Sequence, residues 1–400
     1  MNYRGAVGYL ESFQKMGMRL GLERIRTLLS LLGDPQNDLR SIHIAGTNGK
    51  GSVASMLSSI LHQAGYKVGL YTSPHLVDYT ERIRINEKDV TKEKFAGAIE
   101  KVRKAIDKLP GLDLTEFEVL TAASFLFLSR DKVDIAVIEV GLGGRLDATN
   151  VIAPILSIIT NIDLDHTDVL GASLNKIARE KGGIIKPGVP LVTGETKAWR
   201  LLKDICKRTG SKFIRSNNEK VEYVPFLGSH QEENARTAVA GVKVLRKLGI
   251  KISDAQLNRG LRRAYWPGRL QIVGKKPLMI LDGAHNPAGA RALFKYLSKL
   301  HKKFTFIIGM QSNKDADDFI GIIRPVADRF IAARSSHPNA LSKEVIAKKI
   351  ENAGGKAVIA KDLKSAVMLA KKSGDPVCVT GSLYLVGDMI RLDLQADFFV

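Results

Sequence analysis

A short stretch from Gly46 to Ser52 combines three glycines with a lysine and a serine. The β-branched residues before it predict a strand, and the apolar residues at helical spacing after it predict a helix. A glycine-rich turn at such a junction offers free backbone N–H groups and the positive end of a helix dipole, which both favour phosphate. Lys50 adds a mobile positive charge, and the Ser52 hydroxyl can reach a phosphate-bound Mg²⁺. The stretch therefore predicts a nucleotide phosphate site.

The spacing departs from the common P-loop pattern. Gly46 lies only two residues before Gly49, and Gly51 separates Lys50 from Ser52. The common pattern has four residues between its first glycine and the Gly-Lys pair, with serine or threonine directly after lysine. An ordinary glycine-rich turn between a strand and a helix is the alternative interpretation.

Three further side chains that can do chemistry lie at the ends of predicted elements. Glu139 lies near the end of a buried apolar strand, His166 follows the next strand, and Lys181 ends a helix. Ligands of open α/β sheets bind beyond the carboxyl ends of the strands. Hydroxyl, carboxylate and imidazole groups can all bind a divalent cation. Taken singly, His166 can cap a turn, Glu139 can pair with Arg145, and Lys181 can be a surface lysine.

Strands and helices alternate along the chain, which predicts an α/β protein built on parallel, doubly wound sheets. The length favours two domains, and the turn at residues 266–269 is the predicted boundary. We expect a P-loop ATPase domain over residues 1–266 and a smaller Rossmann-like α/β domain over residues 267–400. Residues 81–86 alternate in polarity and predict an edge strand.

The composition restricts the partners. The net charge is +20, from 61 Lys and Arg against 41 Asp and Glu, but the basic residues are spread along the chain without interleaved aromatic residues. This pattern favours anionic small substrates over nucleic acid. No apolar run is long enough to span a bilayer, and the first residues lack the apolar core of a signal peptide. Cys206 and Cys378 are lone cysteines, which fits a reducing cytoplasm. We expect a cytoplasmic monomer with neither a nucleic-acid nor a membrane partner.

The order of motifs resembles one family strongly, the folylpolyglutamate synthase and dihydrofolate synthase group of the Mur ligase superfamily. The resemblance runs from about residue 20 to residue 384, and its most specific motifs are AGTNGKGS and EVGLGGRLDATN. The unusual spacing of Lys50 and Ser52 is the family's own form. The matching stretches are residues 45–52, 72–76, 81–83, 117–118, 139–150, 165–167, 180–186, 230–235, 267–269 and 281–287.

This resemblance implies an enzyme that uses ATP to join L-glutamate to a folate-type carboxylate. A carboxylate is a poor electrophile, so the γ-phosphate is first transferred to it, and the glutamate amine then attacks the acyl phosphate. Phosphoryl transfer of this kind needs cations more than it needs covalent help from the protein. The implied cofactors are ATP and two Mg²⁺ ions.

The resemblance also implies roles for individual residues. It implies that Lys181 is carbamylated by CO₂ and so becomes a metal ligand, although Gly182 replaces the alanine that usually follows this lysine. Arg82 is expected to meet the glutamate carboxylates. The expected catalytic residues are Lys50, His166, Lys181 and His285. The expected nucleotide contacts are Thr47, Asn48, Gly49, Lys50, Gly51, Ser52, Asn234, Arg269 and Asp282. The expected metal ligands are Ser52, Glu139, His166 and Lys181, and the expected substrate contacts are Ser73, Pro74, His75, Arg82, Phe117, Asp147 and Ala148.

Two other functions stay open on the sequence. A Mur-type ligase of cell-wall precursors shares the mechanism, and a P-loop ATPase that binds nucleic acid fits the basic charge. Within the family, the sequence does not decide between addition of the first glutamate to dihydropteroate, extension of a glutamate chain on a folate, or both. A relative that acts on another pterin, such as a methanopterin-like one, is a further alternative.

Overall fold

The computed structural model describes residues 1–17, 19–109 and 111–396. The chain divides into two compact units. The first comprises Met1–Pro225 and Glu232–Tyr265, and the second comprises Phe226–Gln231 and the chain from Trp266 onward. The short segment Phe226–Gln231 therefore belongs to the second unit although the first unit resumes after it.

The first unit alternates helices with strands. Its strands are β1 (Ser41–Ala45), β2 (Val68–Tyr71), β3 (Ile83–Ile85), β4 (Lys88–Asp89), β5 (Ile135–Glu139), β6 (Leu156–Ile159), β7 (Leu191–Thr193) and β8 (Phe213–Arg215). Its helices are α1 (Tyr3–Glu11), α2 (Glu23–Leu31), α3 (Lys50–Gln63), α4 (Lys92–Ile106), α5 (Glu116–Arg130), α6 (Thr167–Leu170), α7 (Leu174–Gly182), α8 (Trp199–Thr209), α9 (Ser229–Lys247, which starts in the segment assigned to the second unit) and α10 (Asp254–Arg263). Short 3₁₀ helices span Gln14–Met16, Pro35–Asp38, Tyr79–Arg82 and Ala148–Val151.

The strands form one sheet in the order β4-β3-β2-β5-β1-β6-β7-β8 within the described residues. Six neighbouring strands run parallel, namely β2, β5, β1, β6, β7 and β8. The strands β3 and β4 extend this sheet at one edge with antiparallel pairing. The predicted parallel α/β sheet is thus confirmed. Because β1 lies between β5 and β6, the glycine-rich loop after β1 lies between the ends of two neighbouring strands.

Helix α3 is buried on all sides rather than on the single apolar face that its spacing predicts. Every residue from Gly51 to Leu61 is buried. One side packs on the sheet, and α10 covers the other side. Gly260 of α10 permits this approach, since a Cβ atom there would lie 2.4 Å from the Ile60 Cα.

The edge strand predicted over residues 81–86 is wrong in two respects. Residues 79–82 form a 3₁₀ helix, and only β3 is extended, paired on one side with β2 and on the other with β4. The cause is Glu81, whose carboxylate accepts hydrogen bonds from the N–H groups of Leu76, Val77 and Asp78, each at 2.8 Å. A side chain that gathers three backbone donors favours a turn over a strand.

The second unit is a smaller α/β layer structure around its own sheet. Its strands are β9 (Gln271–Lys275), β10 (Leu278–Leu281), β11 (Phe304–Ile308), β12 (Ala327–Ala332), β13 (Ala357–Ile359) and β14 (Val377–Thr380). Its helices are α11 (Pro287–Ser298), α12 (Ala316–Ile323), α13 (Lys343–Asn352), α14 (Leu363–Lys372) and α15 (Leu383–Ala396), with a 3₁₀ turn at Arg324–Val326. The order is β13-β12-β11-β14-β10-β9, parallel except for β9. Buried apolar residues line both faces of the sheet, and the Phe306 and Phe330 rings stack between strands.

None of the helices within the described ranges is both long enough and apolar enough to cross a membrane.

Candidate functional site

The loop after β1 requires glycine at two positions for steric reasons. We call residues 46–52 the P-loop. Gly46 has a φ of +153°, and a Cβ atom there would lie 1.8 Å from the Thr160 Oγ1. Gly49 has a φ of +81°, and a Cβ atom there would lie 2.3 Å from the Asn234 Oδ1. Because L residues with side chains rarely adopt such angles, only glycine fits both places. The close approach also places Asn234, a predicted nucleotide contact, directly beside the loop.

A second segment, residues 160–163 after β6, holds the P-loop in shape. The Thr47 N–H donates to the Asn161 carbonyl, and the Asn48 N–H donates to the Asn161 Oδ1, both at 2.9 Å. The Thr160 hydroxyl donates to the Asn48 carbonyl at 2.6 Å. The Asp163 N–H donates to the Thr47 hydroxyl at 3.0 Å. The conformation of the loop is therefore set by a segment more than a hundred residues later in the chain.

Two lysines meet at the P-loop. The Lys50 Nζ lies 3.2 Å from the Gly46 carbonyl oxygen, and the Lys181 Nζ lies 2.9 Å from the same oxygen. Lys181 is only 4% exposed, so its interpretation as a surface lysine is wrong. Burial first, and then the charge of Lys50, lowers the pKa of Lys181 to about 7, while Asp165 and Asp147 oppose that shift.

Lys181 lies in the last turn of α7, which packs against the loop between β5 and β6. The Arg145 N–H donates to the Glu180 carbonyl at 2.8 Å, and the Arg145 guanidinium pairs with the Glu180 carboxylate at 2.9 Å. Arg145 thus has a carboxylate partner other than Glu139. A Cβ atom on Gly144 would lie 2.8 Å from the Glu180 carbonyl, so glycine is needed for this contact.

Gly182 has a packing reason to be small. The helix α7 includes Gly182 and ends there, as the glycine pair at residues 182–183 predicts. A Cβ atom on Gly182 would lie 2.6 Å from the Ile205 Cδ1 of α8. Glycine at position 182, in place of the family's usual alanine, therefore fits the close packing of α8 against α7. Lys181 still lies at the P-loop.

The two predicted oxygen ligands, Ser52 and Glu139, are both buried. Ser52 is 1% exposed, and within the described ranges its Oγ has no hydrogen-bond partner. Glu139 is the last residue of β5 and is 4% exposed. A buried hydroxyl without a partner in the first turn of α3 and a buried carboxylate at the end of β5 fit a hard cation such as Mg²⁺. The part of the chain that the structure describes contains no cluster of three or more His, Cys, Asp or Glu residues suited to a metal.

Glu139 also contacts the loop predicted for the substrate. The Ser73 N–H donates to the Glu139 Oε2 at 3.3 Å. The following peptide bond, between Ser73 and Pro74, is cis. The structure therefore brings a predicted metal ligand and a predicted substrate loop together at the carboxyl end of β5.

His166 stands at the start of α6 in the left-handed region, with a φ of +50°. Its backbone N–H donates to the Asp165 Oδ1 at 2.9 Å, and its Nε2 lies 3.9 Å from the same oxygen. His166 occupies the N-cap position of α6, in agreement with its interpretation as a residue that caps a turn, although among the described residues its side chain makes no capping hydrogen bond to this helix.

His75 and Arg82 form one polar group with Tyr79. The Arg82 Nε donates to the His75 Nδ1 at 2.9 Å, and the centre of the His75 ring lies 4.3 Å from that of Tyr79. The Arg82 guanidinium lies 5.4 Å from the centre of the Tyr79 ring. Arg82 is only 9% exposed, so its positive charge lies in a mostly buried position.

Phe117 and Asp147 shape the opposite side of the β5 loop. A Cβ atom on Gly141 would lie 2.5 Å from the tip of the Phe117 ring, which also stacks on Tyr71. The Asp147 carboxylate is buried and accepts from the Leu142 N–H at 2.8 Å and from the Thr149 N–H at 3.0 Å. Burial raises the pKa of Asp147. Ala148 begins the 3₁₀ helix that follows.

In the second unit, the predicted residues follow β10. The Asp282 carboxylate accepts from the Leu270 N–H at 2.9 Å and from the Ala284 N–H at 3.0 Å. The His285 Nδ1 lies 2.8 Å from the Gly283 carbonyl oxygen. A Cβ atom on Gly283 would lie 3.2 Å from the Arg269 guanidinium. Asp282 therefore orders the loop that carries His285.

The sequence did not single out Asn161, Asp165 or Glu195. Asn161 and Asp165 follow β6, and their position after a strand was the signal that could have found them. Glu195 lies two residues after the short strand β7, which the sequence analysis did not predict.

The fold and these site contacts define a Mur-type ligase. The Mur ligase middle domain model matches residues 44–190, and the Mur ligase glutamate ligase domain model matches residues 268–383. The chain is 33% identical to the dihydrofolate synthase/folylpolyglutamate synthase of Bacillus subtilis, over 97% of this chain and 98% of that protein. It is 34% identical to the folylpolyglutamate synthase of Lacticaseibacillus casei, over 96% and 97%.

Solved structures agree with these relatives. Escherichia coli FolC in complex with DHPP and ADP superposes with a TM-score of 0.90 and 30% identity, over 99% of this chain and 98% of that chain. The bifunctional synthase of Yersinia pestis complexed with AMPPNP and a Mn ion superposes with a TM-score of 0.88 and 31% identity, over 98% of each chain. The chain belongs to the folylpolyglutamate synthase/dihydrofolate synthase family. It is an ATP-dependent ligase, which confirms the predicted class of enzyme; neither the cell-wall ligase nor the nucleic-acid-binding ATPase is favoured.

Proposed function

We propose that this enzyme adds L-glutamate both to dihydropteroate and to folates, through an acyl phosphate. The observation that carries the proposal is the contact between the Ser73 N–H and the Glu139 carboxylate. It joins the loop expected to hold the pterin acid to the carboxylate expected to hold the metal of the nucleotide. The B. subtilis relative, which covers nearly the whole chain, bears both synthase names and so supports a dual activity.

The P-loop would bind the triphosphate of ATP. Thr47, Asn48, Gly49 and Gly51 supply backbone at a strand-to-helix junction, where N–H groups and the helix dipole favour anions. Asn234 lies beside this loop at Gly49, which supports its proposed contact with the nucleotide. The Lys50 Nζ lies on the loop carbonyls of Gly46 and Thr47, from which it would move to the phosphates. Complexes of the FolC relatives with ADP and AMPPNP support this assignment.

Ser52 and Glu139 would hold one Mg²⁺ ion, and His166 with Lys181 a second. When bound, the ions neutralise the charge that develops on the transferred phosphoryl group. The unpartnered Ser52 hydroxyl and the buried Glu139 carboxylate are the observations that fit such a cation. The relative complexed with a Mn ion supports a divalent metal.

Lys181 is proposed to be carbamylated. Carbamylation requires an uncharged amine, which adds to CO₂ and releases a proton. Its burial and its neighbour Lys50 lower the pKa of Lys181 to about 7, so a large fraction of the amine is uncharged near neutral pH. The resulting carboxylate would place an anion where two lysines now meet.

The substrate residues divide between the two units. Ser73, Pro74, His75, Phe117, Asp147 and Ala148 would contact the pterin acid, and Arg82 the glutamate carboxylates. In the second unit His285 would act beside the incoming glutamate, and Arg269 and Asp282 would contact the nucleotide. We accordingly propose an ATP-binding domain over residues 1–266 and a glutamate-ligase domain over residues 267–400. We also propose that the enzyme acts in the cytoplasm as a monomer without a nucleic-acid partner, in keeping with its free cysteines and dispersed charge.

Product analysis by mass spectrometry tests the proposal. The purified chain receives ATP, Mg²⁺ and glutamate with dihydropteroate in one reaction and tetrahydrofolate in another. We expect an added glutamate in both reactions, with one phosphate released per amide. Product in one reaction alone would restrict the activity to a single synthase, and phosphate release without any amide would overturn the proposal. A third reaction with a nucleotide-sugar peptide should give no product.

A further inference from the structure

The segment that shapes the P-loop is itself held by a buried carboxylate, that of Glu195. Glu195 is 1% exposed and follows β7. One carboxylate oxygen, Oε2, accepts from the Ile162 N–H. The other, Oε1, accepts from the Lys197 N–H and from the Ala198 N–H, the latter at 2.7 Å. The side chain therefore ties residues 160–163 to the start of α8.

Three further interactions lie close to the Glu195 carboxylate. On the buried side, the Thr193 hydroxyl accepts from the Glu195 N–H at 3.0 Å and donates to the Ile159 carbonyl at 2.7 Å. On the solvent side, the Lys197 Nζ pairs with the Asp163 carboxylate at 2.7 Å, and the Lys197 side chain is 48% exposed. The exposed pair provides a natural control, because surface ion pairs contribute little.

The Ile162 N–H matters because of its neighbours. Ile162 lies between Asn161 and Asp163. Asn161 accepts hydrogen bonds from the N–H groups of Thr47 and Asn48, and the Asp163 N–H donates to the Thr47 hydroxyl. A buried N–H without an acceptor is costly, so loss of the Glu195 oxygen would favour rotation of the peptide between Asn161 and Ile162. That rotation would move the acceptor of the Thr47 N–H, which is the carbonyl of the same peptide.

We propose that Glu195 is a positioning residue for nucleotide binding: it fixes residues 160–163 and, through them, the direction of the P-loop N–H groups. Glu195 contacts backbone rather than substrate in this arrangement. The inference rests on the proposed binding of ATP at the P-loop.

The variant Glu195→Gln tests the inference. The carboxylate accepts on both oxygens, whereas glutamine has one acceptor oxygen and an NH₂ group that would face an N–H donor. One of the contacts must therefore break while the size of the side chain is kept. The control is Lys197→Met, which removes the exposed pair with Asp163 and keeps Glu195. The variant Thr193→Val removes the hydroxyl that accepts from the Glu195 N–H and serves as a milder perturbation.

The readouts are the Kd of ATP by calorimetry and the KM values of ATP and glutamate. We expect Glu195→Gln to weaken ATP binding and raise the KM of ATP about tenfold, the factor for one lost charge-assisted hydrogen bond. The KM of glutamate should stay within about twofold, Thr193→Val should show a smaller change in the same direction, and Lys197→Met should match the wild type.

Equal ATP affinity in Glu195→Gln and the wild type would overturn the inference. An equal rise in the KM of ATP and of glutamate would also overturn it, because it would indicate general loss of structure. If Glu195→Gln does not fold, Thr193→Val decides by the same criterion. Failure of the wild-type chain itself to bind ATP would instead refute the proposed function.

Discussion

Lys50 and Lys181 donate to one acceptor, the carbonyl oxygen of Gly46, at 3.2 and 2.9 Å. Burial, and after it the repulsion from the Lys50 ammonium group at the same oxygen, lowers the pKa of Lys181 to about 7. The chain therefore holds an uncharged or readily discharged amine beside the loop that would receive the most negative part of ATP. This arrangement suits a lysine that is to be converted to an anion.

Replacement of Lys181 by alanine tests this relationship. We expect Lys181→Ala to lose most of the ligase activity, about a hundredfold or more, because the proposed ligand to the metal disappears. High bicarbonate or short carboxylates that enter the vacated space should restore part of the rate. The matched control is Lys176→Ala, an exposed position on the same helix. Normal activity in Lys181→Ala would refute the carbamate.

The Ser52 hydroxyl offers a test of the metal site. Ser52→Ala should raise the Mg²⁺ concentration for half-maximal activity about tenfold, as for loss of a single metal ligand contact. Ser58 is the control, since it lies on the same helix, is 1% exposed, and also has a hydroxyl without a partner within the described ranges. Both variants should unfold at the wild-type temperature or slightly higher, because each removes a buried polar group that is not hydrogen-bonded. An equal Mg²⁺ requirement in the two variants would contradict the assignment.

Substitutions at Gly49 and Gly188 distinguish the effect of backbone strain from the effect of a changed site geometry. Gly49→Ala and Gly188→Ala both place a side chain at positive φ, +81° and +73° respectively. Gly188→Ala should lose about 1 kcal/mol of stability, measured by urea unfolding, and Gly49→Ala should lose at least as much because its Cβ atom also meets Asn234. Only Gly49→Ala displaces Asn234, whereas a Cβ atom on Gly188 would meet nothing within 4 Å in the described structure. We therefore expect weaker ATP binding, by about tenfold or more, in Gly49→Ala alone; equal affinities would indicate that Asn234 and the loop shape are irrelevant to the nucleotide.

The buried His43 predicts a loss of stability in acid. Burial, and to a lesser extent the charge of Lys186, lowers the pKa of His43 from 6.5 to about 3. Between these values the unfolded chain binds the proton more readily than the folded chain. Stability therefore falls as the pH decreases through this window, by at most about 1.4 kcal/mol per pH unit.

Urea unfolding of His43→Gln at pH 7.5 and 4.5 measures this effect. The variant should lose less stability on acidification than the wild type, because glutamine does not titrate. An unchanged acid dependence in His43→Gln would assign the effect to other groups.

The second sheet shows where prediction from sequence was reliable. The strands β10, β11, β12 and β14 are short, continuous apolar runs bounded by turn residues, which is the pattern that predicts buried parallel strands from sequence. The strand β9 and the helix α8 were not predicted. Three of the five residues of β9 are polar or glycine, and α8 starts without a capping side chain.

What the sequence determined by itself was local: the glycine, lysine and serine of the P-loop, the alternation of strands and helices, and the motifs of the family. These are properties of consecutive residues, so they can be read before the chain folds. The tertiary structure alone decided that Lys181 is buried, that it contacts Gly46 across 135 positions of chain and so meets Lys50 there, and that Glu195 supports the P-loop through Ile162. Burial and contact depend on which strands become neighbours in the sheet, and the spacing of residues along the chain does not specify that order.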